Sequence, residues 1–324
     1  MKSGRRGSFK EVARTPGKFA VLADLEGAVG VRSPRECFPN FSEYQEFGVR
    51  NQQEDANAAA SGLLQGGADE VLVLDGHHVG ANLLSARVAD GVRLSKGTLL
   101  DELRGGGLAG VFLTGIHGKA GTPNSFSSAT IAPFVAARLD GDVVGDSLLI
   151  AYLCGAFGVP LVGVSGDWVA CEEVRWRLPH IPTAPTKTGF DRSSVRHHDA
   201  AAARTALREA AARAAPASPP TPLKARRAFR FELSFTDEAD AAAAGGAAGN
   251  AARKDGRVVA MNGHDFEDAM EFCARAVGVL YPGWVDGLGR RAVPAEPAGR
   301  TAGGLLDAAV IERFYGASGP YWSD

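Results

Sequence analysis

No run of apolar residues in this chain approaches the roughly 20 that a membrane-crossing helix needs, so no membrane partner is expected. Excess charge is also missing. Lys and Arg number 35 against 37 Asp and Glu, for a net charge of −2, which leaves no electrostatic footprint for nucleic acid. Cysteine is scarce: Cys37, Cys154, Cys171 and Cys273 lie far apart with no CxxC spacing. That pattern predicts reduced, buried thiols in a cytoplasmic protein, and it argues against both a disulfide framework and a cysteine-based metal site. The basic N-terminal stretch MKSGRRGSFK lacks the apolar core of a signal peptide. There is no phosphate loop, no dinucleotide fingerprint and no GxSxG elbow, which removes the common nucleotide and serine-hydrolase chemistries.

What the chain does contain is a regular alternation. Of its 324 residues, 45% are hydrophobic and 22% charged, as in an ordinary globular protein. From Lys18 onward, short apolar runs alternate with longer helical stretches, which predicts an α/β fold: a mostly parallel sheet flanked by helices. Strands are expected at Phe19–Ala23, Val71–Leu74, Gly110–Leu113 and Pro160–Val164, with helices over Arg50–Gln65, Ser147–Phe157 and Asp199–Ala215. The break PASPPTP then introduces a smaller C-terminal α+β portion. In that portion RRAFRFELSF reads as an edge strand, ADAAAAGGAAGNAAR as a mobile surface segment and DFEDAMEFCARAVGVL as a closing amphipathic helix. The expected division is a flexible N-terminus (1–17), a metal-binding α/β domain (18–215), the α+β portion (216–280) and a C-terminal extension (281–324).

Three of the expected strands end in groups that bind cations. In VLADLEGAVG, Asp24 and Glu26 stand two apart at a strand end, so both carboxylates point to one side. Two like charges on one face call for something positive between them, unless they are simply solvated. A second strand ends in Asp75-Gly76-His77-His78 and a third in Gly115-Ile116-His117. Open parallel sheets bind ligands at the carboxyl ends of their strands, so these tips can converge. Carboxylates with imidazoles form a mixed N/O donor set that suits zinc best, with manganese, cobalt or iron as other divalent candidates. Asp146, just before an apolar helix, is a further donor or a helix N-cap. His180, His197, His198 and His264 have no metal-binding spacing.

Taken together, VLADLEGAVG, EDANAAASGLLQGGADEVLVLDGHH, LTGIHGKAGTPN, DGDVVGDSLLIAYLCGAFGVPLVGVSGD and TKTGFDRSSV resemble the bacterial D-aminopeptidase family, the zinc-dependent enzymes of dipeptide-transport operons. The likeness runs in order from about Lys18 to Leu280. It implies a two-zinc site with a shared first carboxylate, whose ligands here would be Asp24, Glu26, His77, His117 and Asp146. It also implies a ring-shaped homo-oligomer acting on a small-molecule or short-peptide substrate. Two departures stand out. The family carries glutamate where this chain has Asp146, a side chain shorter by about 1.5 Å. Its catalytic histidine falls on Ala129, because aligning through GTPN and Thr130 leaves only Ser127, Ser128 and Thr130 as neighbours. Candidate replacements are His78, Lys119 and Ser128, with His78 preferred. Gly166-Asp167 matches a family GD motif that lines the pocket or orients a ligand, and Lys187 and Arg192 match basic positions suited to a substrate carboxylate. The resulting expectation is a metal-dependent hydrolase of amide-like bonds with a specialised substrate; the alternative is a non-catalytic metal- or ligand-binding member.

Overall fold

The computed structural model describes residues 17–280, apart from 40, 79, 81, 216–218, 249–251 and 254–255. The expected C-terminal extension, and all but Gly17 of the expected flexible N-terminus, lie outside the described residues.

Two sheets organise the chain. The larger runs in the order β3 (Val92–Leu94), β2 (Glu70–Asp75), β1 (Lys18–Ala23), β4 (Leu108–Ile116), β7 (Leu161–Asp167), β8 (Thr183–Gly189) and β9 (Val195–His197). Every neighbouring pair is parallel except β8 and β9. Side chains alternate across each strand, so Phe19, Val21 and Ala23 of β1 enter one core while Ala20 and Leu22 enter the other. Both faces of the sheet are therefore covered, which is why these strands read as unbroken apolar runs. On one face α1 (Val49–Gln65) packs against the alanine-rich α5 (Ala200–Arg213). The opposite core extends to α2 (Leu99–Gly105), α3 (Asp146–Ala156) and α4 (Trp168–Arg177).

The smaller sheet is antiparallel throughout, ordered β11 (Ala252–Arg253), β12 (Val258–Gly263), β10 (Phe229–Phe235), β5 (Val135–Leu139) and β6 (Asp142–Val144). RRAFRFELSF is not an edge strand: β10 pairs with β12 on one side and β5 on the other. Its inward set Phe229, Phe231, Leu233 and Phe235 is buried, and the 135–144 hairpin, far away in sequence, covers its second edge. The low-complexity stretch is largely ordered as α6 (Glu238–Ala247), capped by Asp237 and burying Ala241 and Ala244. Alanine's high helix propensity and its small side chain allow that packing against α7 (Phe266–Gly278). No helix among the described residues is long and apolar enough to cross a membrane.

Strand order reverses between β1 and β4, from which the chain winds outward in opposite directions, and their carboxyl ends form the crevice where such sheets bind ligands. The two backbones touch there. Asp24 N donates to Thr114 O (2.8 Å) and Gly27 N to Gly115 O (2.7 Å). A Cβ on Gly27 would lie 2.1 Å from Ile116 O, and Gly115 adopts φ +73° with its own missing Cβ 2.1 Å from Asp24 O. Gly27→Ala is accordingly expected to cost about 3 kcal/mol, the upper range for overpacking against unyielding backbone. Chemical denaturation checks this; an unchanged midpoint would show that the two loops can part.

Candidate metal centre

Each donor is held by local chemistry. Asp75, at the end of β2, organises the loop that presents His77: its Oδ1 accepts from His77 N (3.2 Å), Asn82 Nδ2 (3.1 Å) and Gln52 Nε2 (3.0 Å), and its Oδ2 from Asn82 N (2.5 Å) and Leu83 N (3.0 Å). Tyr44 OH closes the loop by hydrogen bonding to Asn82 Oδ1. On the β4 side, the segment after His117 folds on itself: Gly118 N donates to Ser125 Oγ (3.0 Å) and Ala129 N to Gly118 O (3.0 Å). Asp146 is the first residue of α3. It is not the cap, which is Gly145, and its Oδ1 instead accepts from Ile131 N (2.8 Å).

The five expected donors meet in one place. His77 Nδ1 lies 3.2 Å from Asp24 Oδ1 and 3.1 Å from Glu26 Oε2. His117 Nε2 lies 3.6 Å from Asp24 Oδ2 and 3.4 Å from Asp146 Oδ2. Asp24 thus turns one oxygen toward each imidazole. The donor atoms of Asp24, Glu26 and His117 all fall within 4.8 Å of one another. Both rings are anchored by their far nitrogens, His77 Nε2 on Cys37 O (2.8 Å) and His117 Nδ1 on Gly118 O (3.1 Å). A carbonyl can only accept, so each anchoring nitrogen carries the hydrogen, and the neutral ring then aims a lone pair at carboxylates. Glu26 Oε2 is buried with no aligned hydrogen bond. Lone pairs facing carboxylates, with a buried carboxylate oxygen unsatisfied, are arranged for a cation, and the N/O donors match zinc.

Protons take the cation's place when no metal is bound. Burial and the Glu26 charge push the Asp24 carboxyl up to about 7, against the pull of both histidines. Burial would raise Glu26 too, but the adjacent His77 outweighs it and holds Glu26 well below the usual carboxylate range. Burial opposes charge on His77 and His117, yet Glu26 and Asp24 overcome it, raising His77 well above its ordinary value and, with help from Asp146, His117 to about 9. Burial raises Asp146, with His117 opposing. A histidine whose folded-state pKa is raised binds more protons folded than unfolded, so its stabilising effect fades as pH climbs past 6.5 toward about 9. Metal-free protein is therefore expected to lose on the order of 1.5 kcal/mol between roughly pH 6.5 and 8, and zinc should flatten that slope. Denaturation series at both pH values, with chelator and with zinc, decide the matter; equal slopes would count against cation binding here.

A cavity of about 100 Å³ opens over the cluster. All five donors line it, as do His78 and Ala129, and Phe38, Ile131 and Phe134 form an apolar wall. His78 adopts φ +54°. Lys119 and Ser128 are not among the lining residues: Ser128 is buried in the loop and Lys119 lines a different cavity. The remaining histidines lie elsewhere. His180, His197 and His264 are exposed, and His198 bonds to Thr188 Oγ1 (3.2 Å).

Lys187 does not face a substrate. It is fully buried, and its Nζ donates to Glu26 O and Val31 O, both at 2.6 Å, beside the Phe126 ring. Burial lowers its pKa to about 8. Asp167 of the GD pair caps α4 through Val169 N (2.9 Å) and accepts from Phe126 N (3.1 Å), which fixes the loop carrying Ala129. The Asp75 network and the structural use of Lys187 escaped the sequence reading; the one available signal was an acid two residues before a candidate ligand.

The model of the D-aminopeptidase family, Peptidase_M55, matches residues 18–274. The chain belongs to this family. A D-aminopeptidase of Bacillus subtilis (strain 168) is 29% identical over 184 residues, covering 55% of this chain. The match spans 66% of that relative, just under two thirds of its length. Among solved structures, the Zn-dependent D-aminopeptidase DppA from Bacillus subtilis, described as a self-compartmentalizing protease, superposes with a TM-score of 0.70 at 23% identity. The superposition covers 80% of this chain and 98% of that one, so the two share the fold.

Proposed function

We propose that this D-aminopeptidase-family chain is a zinc-dependent hydrolase of amide-like bonds in short peptides or amino-acid derivatives. The observation that carries the reading is the pair of anchored imidazoles aiming lone pairs at three half-buried carboxylates. Asp24 would be shared between two ions, with Glu26 and His77 on one side and His117 and Asp146 on the other. Zinc, when bound, supplies Lewis acidity that polarises the scissile carbonyl and acidifies water. The chain's own residues do the rest. Asp75 and the Cys37 and Gly118 carbonyls lock the histidines in position, and the Phe38, Ile131 and Phe134 wall limits access of bulk water. His78, which also lines the cavity, is the favoured proton carrier, ahead of Lys119 and Ser128.

Ala129 sits in the cavity wall, where a methyl group can neither give nor take a proton. Positioned acid–base groups contribute about 10²–10⁴-fold, so cleavage of unactivated amides should be slow and a specialised, more labile substrate is favoured. The same methyl group motivates a second reading, a metal-holding member without turnover. Assembly as a homo-oligomer is part of the proposal.

Metal analysis of the purified chain, followed by a panel of D- and L-amino-acid amides, esters and dipeptides, separates these readings. Bound zinc with turnover abolished by His117→Ala supports the hydrolase. Bound zinc with no turnover, but activity gained in Ala129→His, supports the second reading. Zinc-free protein after metal loading sinks both.

A further inference from the structure

A second cavity, of about 260 Å³, is larger than the one over the metal centre, and none of the five donors lines it. The two linings are close along the chain. Lys119, two residues past His117, faces this cavity, and a Cβ on Gly145, the residue before Asp146, would lie 2.8 Å from Lys119 Cβ.

The lining carries four cations, Lys119, Arg177, Lys224 and Arg226, against three acids, Asp140, Asp142 and Glu173. Two of the acids already have partners, and Arg226 is one of them. Asp140 accepts from Arg230 N (2.9 Å) and lies 4.0 Å from Arg226 Nε. The Glu173 carboxylate accepts from Lys119 N (3.1 and 3.3 Å) and Thr122 Oγ1 (3.2 Å). Asp142, on β6, is the third acid of the lining. Tyr152, only 5% exposed, has its hydroxyl oxygen hydrogen bonded by Arg177 Nη2 (3.1 Å), which orients the guanidinium and leaves the phenolic proton for another acceptor. A guanidinium, two ammonium groups and an O–H donor around one hollow fit a ligand with several anionic oxygens.

We propose that this cavity binds a small organic anion, a carboxylate or a phosphate ester, separately from the metal centre. The site depends on neither zinc nor turnover, so its test is independent of the hydrolase reading.

Calorimetric titration of the full chain, zinc-loaded and chelated in parallel, with inorganic phosphate and with succinate reads the site, because binding that survives chelation is not anion coordination to zinc. Saturable one-to-one binding of at least one probe is expected, and the probe that binds identifies the anion class. Arg177→Ala and Lys224→Ala should each weaken it about tenfold, the loss that accompanies one charge-assisted hydrogen bond, while Arg93→Ala on a distant strand should leave it unchanged. Both variants alter exposed side chains, and circular dichroism confirms that they fold. Three results would overturn the proposal: no binding of either probe, equal affinity in the Arg177/Lys224 double variant, or full displacement by chloride at matched ionic strength.

Discussion

Asp24→Ala is expected to remove bound zinc and to lower hydrolysis by at least the roughly 10²–10³-fold that loss of a single preorganised electrostatic group costs. The reason lies in its geometry. Its two oxygens face different imidazoles, Oδ1 toward His77 and Oδ2 toward His117, so one deletion opens both halves of the centre. Folding should survive the change. Asp24 is itself pushed up to about 7 by burial and by Glu26, so alanine also relieves a repulsion. The metal-free variant should therefore be at least as stable as metal-free wild type. Zinc content and thermal denaturation, measured together, check both halves of the expectation. A variant that keeps its full complement of zinc would disprove the shared-carboxylate arrangement.

Lys187→Met should produce the largest loss of stability, about 3 kcal/mol or more. The ammonium is fully enclosed and makes short hydrogen bonds to two main-chain carbonyls, Glu26 O and Val31 O. Methionine fills a similar volume but donates nothing, which leaves two buried acceptors unsatisfied at about 1–3 kcal/mol each. Because one of these carbonyls belongs to Glu26, zinc affinity should fall as well, by the 10- to 100-fold typical of groups that support metal ligands. Denaturant unfolding of the chelated protein isolates the first effect, and competition with a zinc indicator isolates the second. If stability falls while zinc affinity holds, Lys187 braces the fold without shaping the centre.

The sequence made the chemistry more legible than its support. Asp24, Glu26, His77 and His117 could be picked out because each closes or follows an apolar run, and strand periodicity with the switch-point rule then predicts that they converge. The parallel sheet was legible for the same reason. Less visible were features set by contacts between distant segments. RRAFRFELSF alternates like a strand with one open side, and nothing local reveals that residues 135–144 will pair with it. ADAAAAGGAAGNAAR has the composition of a loose segment, and it is packing on α7, β10 and β12 that makes its alanines a buried face. A lysine in a polar loop sequence normally reaches solvent, so the carbonyl cradle around Lys187 has no local signature. Asp146 was ambiguous between cap and donor, and Gly145's occupation of the cap position resolves the first of these.

The donors also arrive in a fixed temporal order during synthesis. Asp24 and Glu26 leave the ribosome first, His77 and His117 follow, and Asp146 comes last, after the β5–β6 hairpin. A nascent chain that stops short of α3 holds four of the five donors and leaves His117 without its Asp146 partner. Zinc capture should therefore report completion of that helix, and a chelator present during translation should trap more chains than one added afterwards.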